Sequence, residues 1–261
     1  MLVGRKQKMR QARTNRHNVV SAINAKAERR PLYVQVRAVI LERIENGIWK
    51  PGALLPSEIA LGRELGVSQG TVRKGLDSLV RDQLLVRRQG SGTFVADHTP
   101  ADVLFRFFKV YTQTGERVLP SSRDVRVRRG KATKREAGML KLLANAEVIR
   151  VARTRLTGER PIIREVIVVP AAMFPDLGAN GSVPNTLYDL FQHQYGVTVS
   201  HAEERIEAVA APAREARHLD LDTGAPVLKI DRLTSGLGDR PIEWRVSLCH
   251  LKGLQYIVEL R

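Results

Sequence analysis

The stretch GVSQGTVRKGL, residues 66–76, places a glycine turn and a serine before apolar residues spaced three and four positions apart. This spacing predicts a helix that is capped by Ser68. One face of the helix is apolar and is expected to be buried: Val72, Leu76, Leu79 and Val80. The other face is polar or basic: Gln69, Gly70, Thr71, Arg73 and Lys74. Such a face is either an ordinary solvated surface or the part of a helix that enters a DNA groove.

The flanking sequence predicts two more helices before this one and a hairpin after it. The first begins after Pro31, ends at Asn46-Gly47 and carries an apolar stripe: Leu32, Val36, Val39, Ile40 and Ile44. Ser57 is expected to cap the second, Glu58 to Leu65. The third helix extends to about Asp82, and strands at 84–88 and 93–96 enclose a tight turn. Three helices and a hairpin over residues 31–96 predict a winged helix-turn-helix, with Arg87, Arg88, Gln89 and Gly90 on the wing.

Composition favours a polyanionic partner. The 261 residues include 43 Lys and Arg against 27 Asp and Glu, a formal net charge of +16. The first 30 residues hold nine basic side chains and one acidic side chain, which predicts a basic arm that binds nucleic acid or, alternatively, a tail that only aids solubility. We detect no secretory signal and no apolar run of membrane-spanning length. The single cysteine, Cys249, excludes an internal disulfide and fits a reducing cytoplasm.

Beyond a linker at 97–102, residues 103–261 predict an α+β domain with a twofold internal repeat. Two segments, starting at Arg135 and Arg214, each read as a helix, a turn, a strand, a loop ending in Arg-Pro-Ile and a second strand. Between them, Leu187, Leu190 and Phe191 predict a helix that ends at Gly196, and residues 201–211 predict a strand.

Strand alternation in the first repeat indicates a cavity. It places Arg153 and Arg155 on the same face as Ile149 and Val151, and it places Glu165 among aliphatic side chains. A buried carboxylate needs a partner, which Arg153 or Arg155 can supply. The arrangement predicts either a binding site for an anionic ligand or a purely structural Arg–Glu pair.

The sequence resembles two domains of known families. The segments PLYVQV, GIWKPGALLPSE, LGVSQGTVRKGLDSL and LLVRRQGSGTFVA resemble the DNA-binding domain of the GntR family of bacterial transcription regulators. The segments REVIVVPAAMFPDL, TLYDLFQHQYGVTVSHAEERIEA and GAPVLKIDRLTSGLGDRPIEWRVSL resemble the UTRA effector domain of the HutC subfamily. UTRA domains share the fold of chorismate lyase, an antiparallel sheet with helices, and normally bind a small molecule without converting it.

The resemblance implies functional positions in both domains. It implies DNA contacts from Ser68, Gln69, Thr71, Arg73, Gln89 and Gly90. In the UTRA domain it implies effector contacts from Arg153, Arg155, Glu165, Thr186, Tyr188 and Glu243. Arginines would bind a carboxylate or phosphate, and glutamates would accept hydrogen bonds from ligand hydroxyl or amino groups.

Enzyme motifs are missing from the sequence. The six histidines show no metal-ligand spacing, and neither a phosphate-binding glycine loop nor a nucleophile elbow occurs. We therefore expect no metal, no cofactor and no catalysis. We expect a cytoplasmic homodimer that binds a palindromic operator on double-stranded DNA, more plausibly a repressor than an activator, and responds to a small anionic effector. The alternatives are a chorismate-lyase-like enzyme that carries a DNA-binding domain and a basic protein that coats DNA without sequence preference.

Overall fold

A computed structural model describes residues 30–97 and 107–258 of the chain. It divides into two compact units, with the boundary after Asp97. The basic arm predicted for the first 30 residues lies outside the described residues, except for Arg30. The greater part of the predicted linker, residues 98–102, also lies outside them.

The first unit contains three helices and a two-stranded hairpin. Its elements are α1 (Leu32–Glu45), α2 (Glu58–Leu65), α3 (Gln69–Arg81), β1 (Leu85–Arg88) and β2 (Gly92–Val95). Ser57 and Ser68 cap α2 and α3 through their hydroxyls, which accept hydrogen bonds from the backbone N–H groups of Ala60 and Thr71 at 3.2 Å. Both predicted caps are confirmed.

Helices α1 and α3 pack closely at Gly75. A Cβ atom at this position would lie 3.0 Å from Cγ1 of Val36 and 3.1 Å from the carbonyl oxygen of Tyr33, so a larger residue would push α1 and α3 apart by a few tenths of an ångström. Val72, Leu76 and Leu79 are buried as predicted, while Val80 is half-buried. The prediction for Leu32 is wrong: its side chain is 52% exposed, and Leu41 is buried instead because α1 turns that face towards the unit's core.

The second unit alternates strands with short helices. Its larger elements are β4 (Ser121–Lys131), α4 (Lys134–Met139), β5 (Glu147–Thr157), β6 (Arg160–Pro170), α5 (Leu187–Tyr195), β7 (Val199–Ala210), α6 (Ala213–His218), β8 (Pro226–Gly236) and β9 (Pro241–Cys249). A short 3₁₀ turn, Leu237–Asp239, connects β8 to β9, and β3 (Val110–Thr112) pairs with β10 (Leu254–Tyr256).

The main sheet has six antiparallel strands in the order β4-β5-β6-β9-β8-β7. This order is symmetric, because each half contributes a strand, a short helix and a hairpin in the same sequence. The two halves meet where β6 pairs with β9, and Val166 lies directly opposite Val246 at this seam. The predicted repeat is therefore present, and β4 and β7 extend it by one strand on each side.

The two faces of the sheet are covered differently. On the inner face, Ile149, Val151, Ile167 and Val169 form a core with α5 and the loop that precedes it. On the outer face, α4 covers a cluster around Trp244, and α6 covers a cluster around Leu248. The inner face continues past its apolar core into a cavity, which holds most of the predicted effector residues.

Candidate DNA-binding surface and effector cavity

The N-terminus of α3 exposes polar groups beside its cap, Ser68. The Ser68 hydroxyl contacts both the backbone N–H and the Oγ1 of Thr71, the latter at 2.9 Å. Gln69, Gly70 and Arg73 are exposed beside them. A helix N-terminus with partial positive charge and exposed polar side chains is suited to phosphate oxygens and base edges.

Glu58, the first residue of α2, binds three of the predicted DNA-contacting side chains. It accepts hydrogen bonds from Arg73 Nε at 2.9 and 3.2 Å, from Gln69 Nε2 at 3.1 Å and from Arg87 Nη2 at 3.1 Å. The hydrogen bond from Arg73, together with those of its other partners, holds the pKa of the Glu58 carboxyl below its usual value. We call Glu58, Gln69, Arg73 and Arg87 the Glu58 cluster. Sequence reasoning did not predict Glu58, because its partners lie on two other elements, α3 and β1.

The remaining predicted DNA contacts are on the same unit. Lys74 lies over the ring of Tyr33, 4.4 Å from its centre, and Arg88 lies 4.6 Å from the ring centre of Phe94. Arg87 also pairs with Asp77 at 2.8 Å, which ties the hairpin to α3. Gln89 and Gly90 are exposed in the hairpin turn, where Gly90 has a φ of 73°.

A cavity opens on the inner face of the sheet in the second unit. Its volume is about 60 Å³. Five of the six predicted effector residues line it: Arg153, Arg155, Glu165, Thr186 and Tyr188. Its wall also includes six polar or ionisable side chains that sequence reasoning did not select: Lys109, Asn185, Arg232, Arg245, Ser247 and Tyr256.

Arg153 and Glu165 form the expected buried pair. They lie directly opposite each other on β5 and β6, and Arg153 Nε donates to Glu165 Oε1 at 2.6 Å. A second arginine, Arg245, reaches the other oxygen of Glu165 at 3.3 Å. Burial alone raises the pKa of Glu165, but the charges of Arg245, Arg153 and Arg155 outweigh it and hold the pKa well below its usual range.

Glu243 is placed behind the cavity and is not one of the residues that line it. Its side chain is fully buried, accepts a hydrogen bond from the Tyr188 hydroxyl at 2.8 Å and binds Arg245 through both oxygens at 2.9 and 3.0 Å. Arg245 therefore connects Glu243 to Glu165. Strand alternation could have identified Arg245, because it lies two residues after Glu243 on the same face of β9.

Arg155 differs from the other cavity arginines because, within residues 30–97 and 107–258, it pairs with no carboxylate. Its Nη1 donates to Asn185 Oδ1 at 2.6 Å and to Ser122 Oγ at 2.7 Å, both neutral groups. Burial and the neighbouring Arg153 lower the pKa of Arg155 to about 9. A guanidinium nevertheless keeps its proton at neutral pH. Among the described residues, Arg155 therefore brings a positive charge to the cavity without a carboxylate at ion-pair distance, and Glu165 acts on it only from farther away.

The segment at Phe107 and Phe108 forms one wall of the cavity. Arg232 Nη2 donates to the carbonyl oxygen of Phe107 at 2.5 Å, while its Nε donates to Glu204 at 2.6 Å. The ring of Phe107 meets that of Tyr188 edge to face at 4.9 Å, and Phe108 lies 5.8 Å from the guanidinium of Arg155. Arg232 takes the position in the second repeat that Arg153 takes in the first, and the repeat was the signal that could have predicted it.

The described residues contain no group of three or more His, Cys, Asp or Glu side chains that could hold a metal ion. Within the same ranges, no helix combines the length and apolar character of a membrane span.

Comparison with known proteins assigns a domain family to each of the two units. The profile of the UTRA domain matches residues 116–253, and that of the bacterial regulatory proteins of the gntR family matches residues 32–95. The histidine utilization repressor of Pseudomonas putida is 32% identical over 205 residues, covering 78% of this chain and 82% of its own length. The chain belongs to the GntR family.

Two further similarities concern this GntR regulator. The uncharacterized HTH-type transcriptional regulator YurK of Bacillus subtilis is 28% identical over 240 residues, covering 87% of this chain and 95% of YurK. The solved ligand-binding domain of a GntR-family regulator from Bordetella bronchiseptica covers 60% of the chain and 98% of its own length, with 29% identity and a TM-score of 0.55. The chain is thus a DNA-binding transcription regulator with a UTRA effector domain, of the HutC subfamily.

Proposed function

We propose that this GntR regulator is a homodimeric, cytoplasmic repressor that leaves a palindromic operator when a small anionic molecule binds in the cavity. The observation that carries the proposal is the excess of arginine over carboxylate in the cavity, with Arg155 lacking an anionic partner among the described residues. A ligand carboxylate or phosphate would supply that partner and would form charge-assisted hydrogen bonds with the guanidinium.

DNA binding is assigned to the face of α3 and to the hairpin. Gln69 and Arg73 are the base-reading candidates, because Gln can bind adenine and Arg can bind guanine in the major groove. Ser68, Gly70, Thr71 and Lys74 on α3 and Arg87, Arg88, Gln89 and Gly90 on the wing supply the remaining contacts. A twofold dimer places two such surfaces on DNA, which is why a palindrome is the expected operator.

The cavity wall offers a route for the effector signal. Phe107 and Phe108, which contact Tyr188 and Arg155, are the first described residues after the segment that joins the two units. A ligand that binds Arg155 competes with this packing and shifts the position of the wall. Release of DNA requires that the ligand bind the DNA-incompetent state more tightly than the DNA-bound state.

The proposed role is binding without turnover. The proteins to which the chain is similar are named transcriptional regulators and repressors. Incubation with chorismate and detection of 4-hydroxybenzoate tests the enzyme alternative directly.

A two-step experiment tests the function. Selection from random DNA yields the operator, and a thermal-shift screen of sugar phosphates, amino acids and organic acids yields the effector, since a ligand stabilises the native state by mass action. The proposal requires that an anionic hit release the selected DNA from the parent protein. Equal affinity for selected and scrambled DNA would favour the non-specific DNA-coating alternative instead.

A further inference from the structure

The outer face of the sheet carries a groove that is separate from the effector cavity. It lies between the outer-face strand residues and α6, and its volume is about 420 Å³. We call it the outer-face groove. Its charged lining side chains are Arg164, Arg214, Lys229 and Glu215, and its wall also includes Ala152, Val166, Val246 and Leu248. Arg164 precedes Glu165 on β6, so strand alternation directs Arg164 outward while Glu165 faces the cavity.

Arg164 is a largely buried cation that forms no ion pair among the described residues. Its side chain is 6% exposed, and its one hydrogen bond among the described residues runs from Nη1 to Thr154 Oγ1 at 3.2 Å. A guanidinium has five N–H groups. No nitrogen of Arg164 is both buried and without a partner, so its other donors are open to solvent in the groove. Burial and the charges of Arg214 and Arg126 lower its pKa, against the opposing effect of Asp124 and Glu215. Neither carboxylate forms an ion pair with Arg164 or Arg214 in the described part of the chain.

The internal repeat supplies a direct comparison for this site. In the first repeat, Arg135 on α4 lies 5.0 Å from the ring centre of Trp244 and donates to Asp231 at 3.2 Å. The alignment of the repeats places Arg214 where Arg135 stands, Arg164 where Trp244 stands and Ala152 where Asp231 stands. One end of the outer face is therefore neutralised by a carboxylate and an indole, whereas the equivalent end brings two arginines together.

We propose that the outer-face groove is a second anion-binding site, in which Arg164 and Arg214 bind the oxygens of a carboxylate or phosphate. Ala152 has no carboxylate, so the bound anion would supply the negative charge that Asp231 supplies at the other end. Val166, which is 40% exposed, and Val246 provide an apolar floor beside the two guanidinium groups. The site thus accepts an oxyanion attached to a small apolar body as well as a free oxyanion.

The test measures the melting temperature in inorganic phosphate against chloride at constant ionic strength. Phosphate raises the melting temperature of the parent. Arg164→Met and Arg214→Gln each remove at least half of that rise, whereas Arg135→Gln, the matched change at the neutralised end, removes none. Arg155→Ala changes only the effector cavity. This variant should keep the increase in melting temperature that phosphate causes by binding in the groove, so the groove and the proposed effector site are tested separately.

Three further outcomes of these measurements would contradict the proposal. Without phosphate, Arg164→Met raises the melting temperature, because it removes a buried charge that lies among like charges; a lowered melting temperature would show that Arg164 is structural. A phosphate response in Arg214→Gln equal to that in Arg135→Gln overturns the proposal. Weakened self-association of Arg214→Gln without any phosphate effect also overturns it and assigns these arginines to contact with a protein carboxylate.

Discussion

Arg73 binds Glu58 through Nε and Nη2, with its closest contact at 2.8 Å, although the two residues belong to different helices of the DNA-binding unit. The side chain expected to read a base is therefore held in one orientation by an acidic neighbour. Part of its donor set stays directed at Glu58, and its terminal nitrogen Nη1 remains available for DNA. Both residues of this pair can therefore be tested by substitution, Arg73 as a DNA contact and Glu58 as the group that orients it.

Arg73→Ala should weaken operator binding by about 1–3 kcal/mol, the range expected for the loss of one good base contact. The fold should persist, because Arg73 is exposed and lies off the buried face of α3. Arg81→Ala, at the C-terminal end of the same helix, is the matched control and should bind operator like the parent. Fluorescence anisotropy measures both; parental affinity in the Arg73 variant would remove it from the interface.

Glu58→Ala should lower the ratio of operator affinity to scrambled-DNA affinity. The change removes one negative charge from a surface that faces phosphates, which favours all DNA alike. It also frees Gln69, Arg73 and Arg87 from a common acceptor, so fixed base contacts become less favourable. Titrations with both DNAs at several salt concentrations separate the two effects, and an unchanged ratio would contradict a positioning role for Glu58.

Arg155→Ala should abolish effector-driven release while operator binding stays near normal. Its stability should fall by less than that of Arg153→Ala, because the acceptors that Arg155 leaves behind are neutral and no carboxylate of the described residues loses an ion-pair partner. Arg153→Ala is the contrasting variant: it leaves Glu165 with Arg245 alone and should cost about 3–5 kcal/mol. Denaturant melts compare the two, and equal large losses would support a purely structural role for both arginines.

The stability of the protein should decline in acid partly through Glu165. The folded-state pKa of this carboxyl is depressed, mainly by the charges that overcome its burial. Its contribution is therefore complete above the unfolded value of about 4.3 and is lost as the pH falls towards the folded value. Unfolding free energies between pH 6 and about pH 3 should show a shallower slope for Glu165→Gln than for Glu159→Gln, an exposed carboxylate in the β5–β6 turn. Equal slopes would argue against a charged Glu165.

Cys249 should resist thiol reagents in the native protein. It is 1% exposed in the wall of the cavity, and burial raises the pKa of its thiol far above the ordinary value. Since only the thiolate reacts, labelling at neutral pH should be very slow until the protein is unfolded, when one thiol per chain should react. Rapid labelling of the native protein would show that the cavity wall opens readily.

The DNA-binding fold was predictable from sequence because its signals are local. Ser57 and Ser68 lie beside the amides they cap, and Val72, Leu76 and Leu79 follow a regular helical period. The repeat was visible for a similar reason, because Arg-Pro-Ile recurs at the start of β6 and of β9. By contrast, β4 was not predicted, since Val125 and Val127 are its only aliphatic side chains among several arginines.

The candidate sites were predictable only in part, because charge compensation depends on distant strands. Alternation placed Arg153, Arg155 and Glu165 on one face, but it could not decide which arginine pairs with the carboxylate. The pairing register sets Arg153 opposite Glu165, and β9 brings Arg245 to its other oxygen. The Glu58 cluster was not predicted for the same reason, because it joins α2, α3 and β1.

The seam between β6 and β9 also has a consequence for folding kinetics. Hairpins β5–β6 and β8–β9 close through short connections, whereas the seam pairs residues as distant as Glu165 and Ser247. Loop closure makes such long-range pairing slow, so the two halves are expected to form before they join. The cavity contains residues from both sides of the seam and forms only at this last step. A cavity ligand should therefore leave the folding rate nearly unchanged and extend the lifetime of the native state by slowing unfolding.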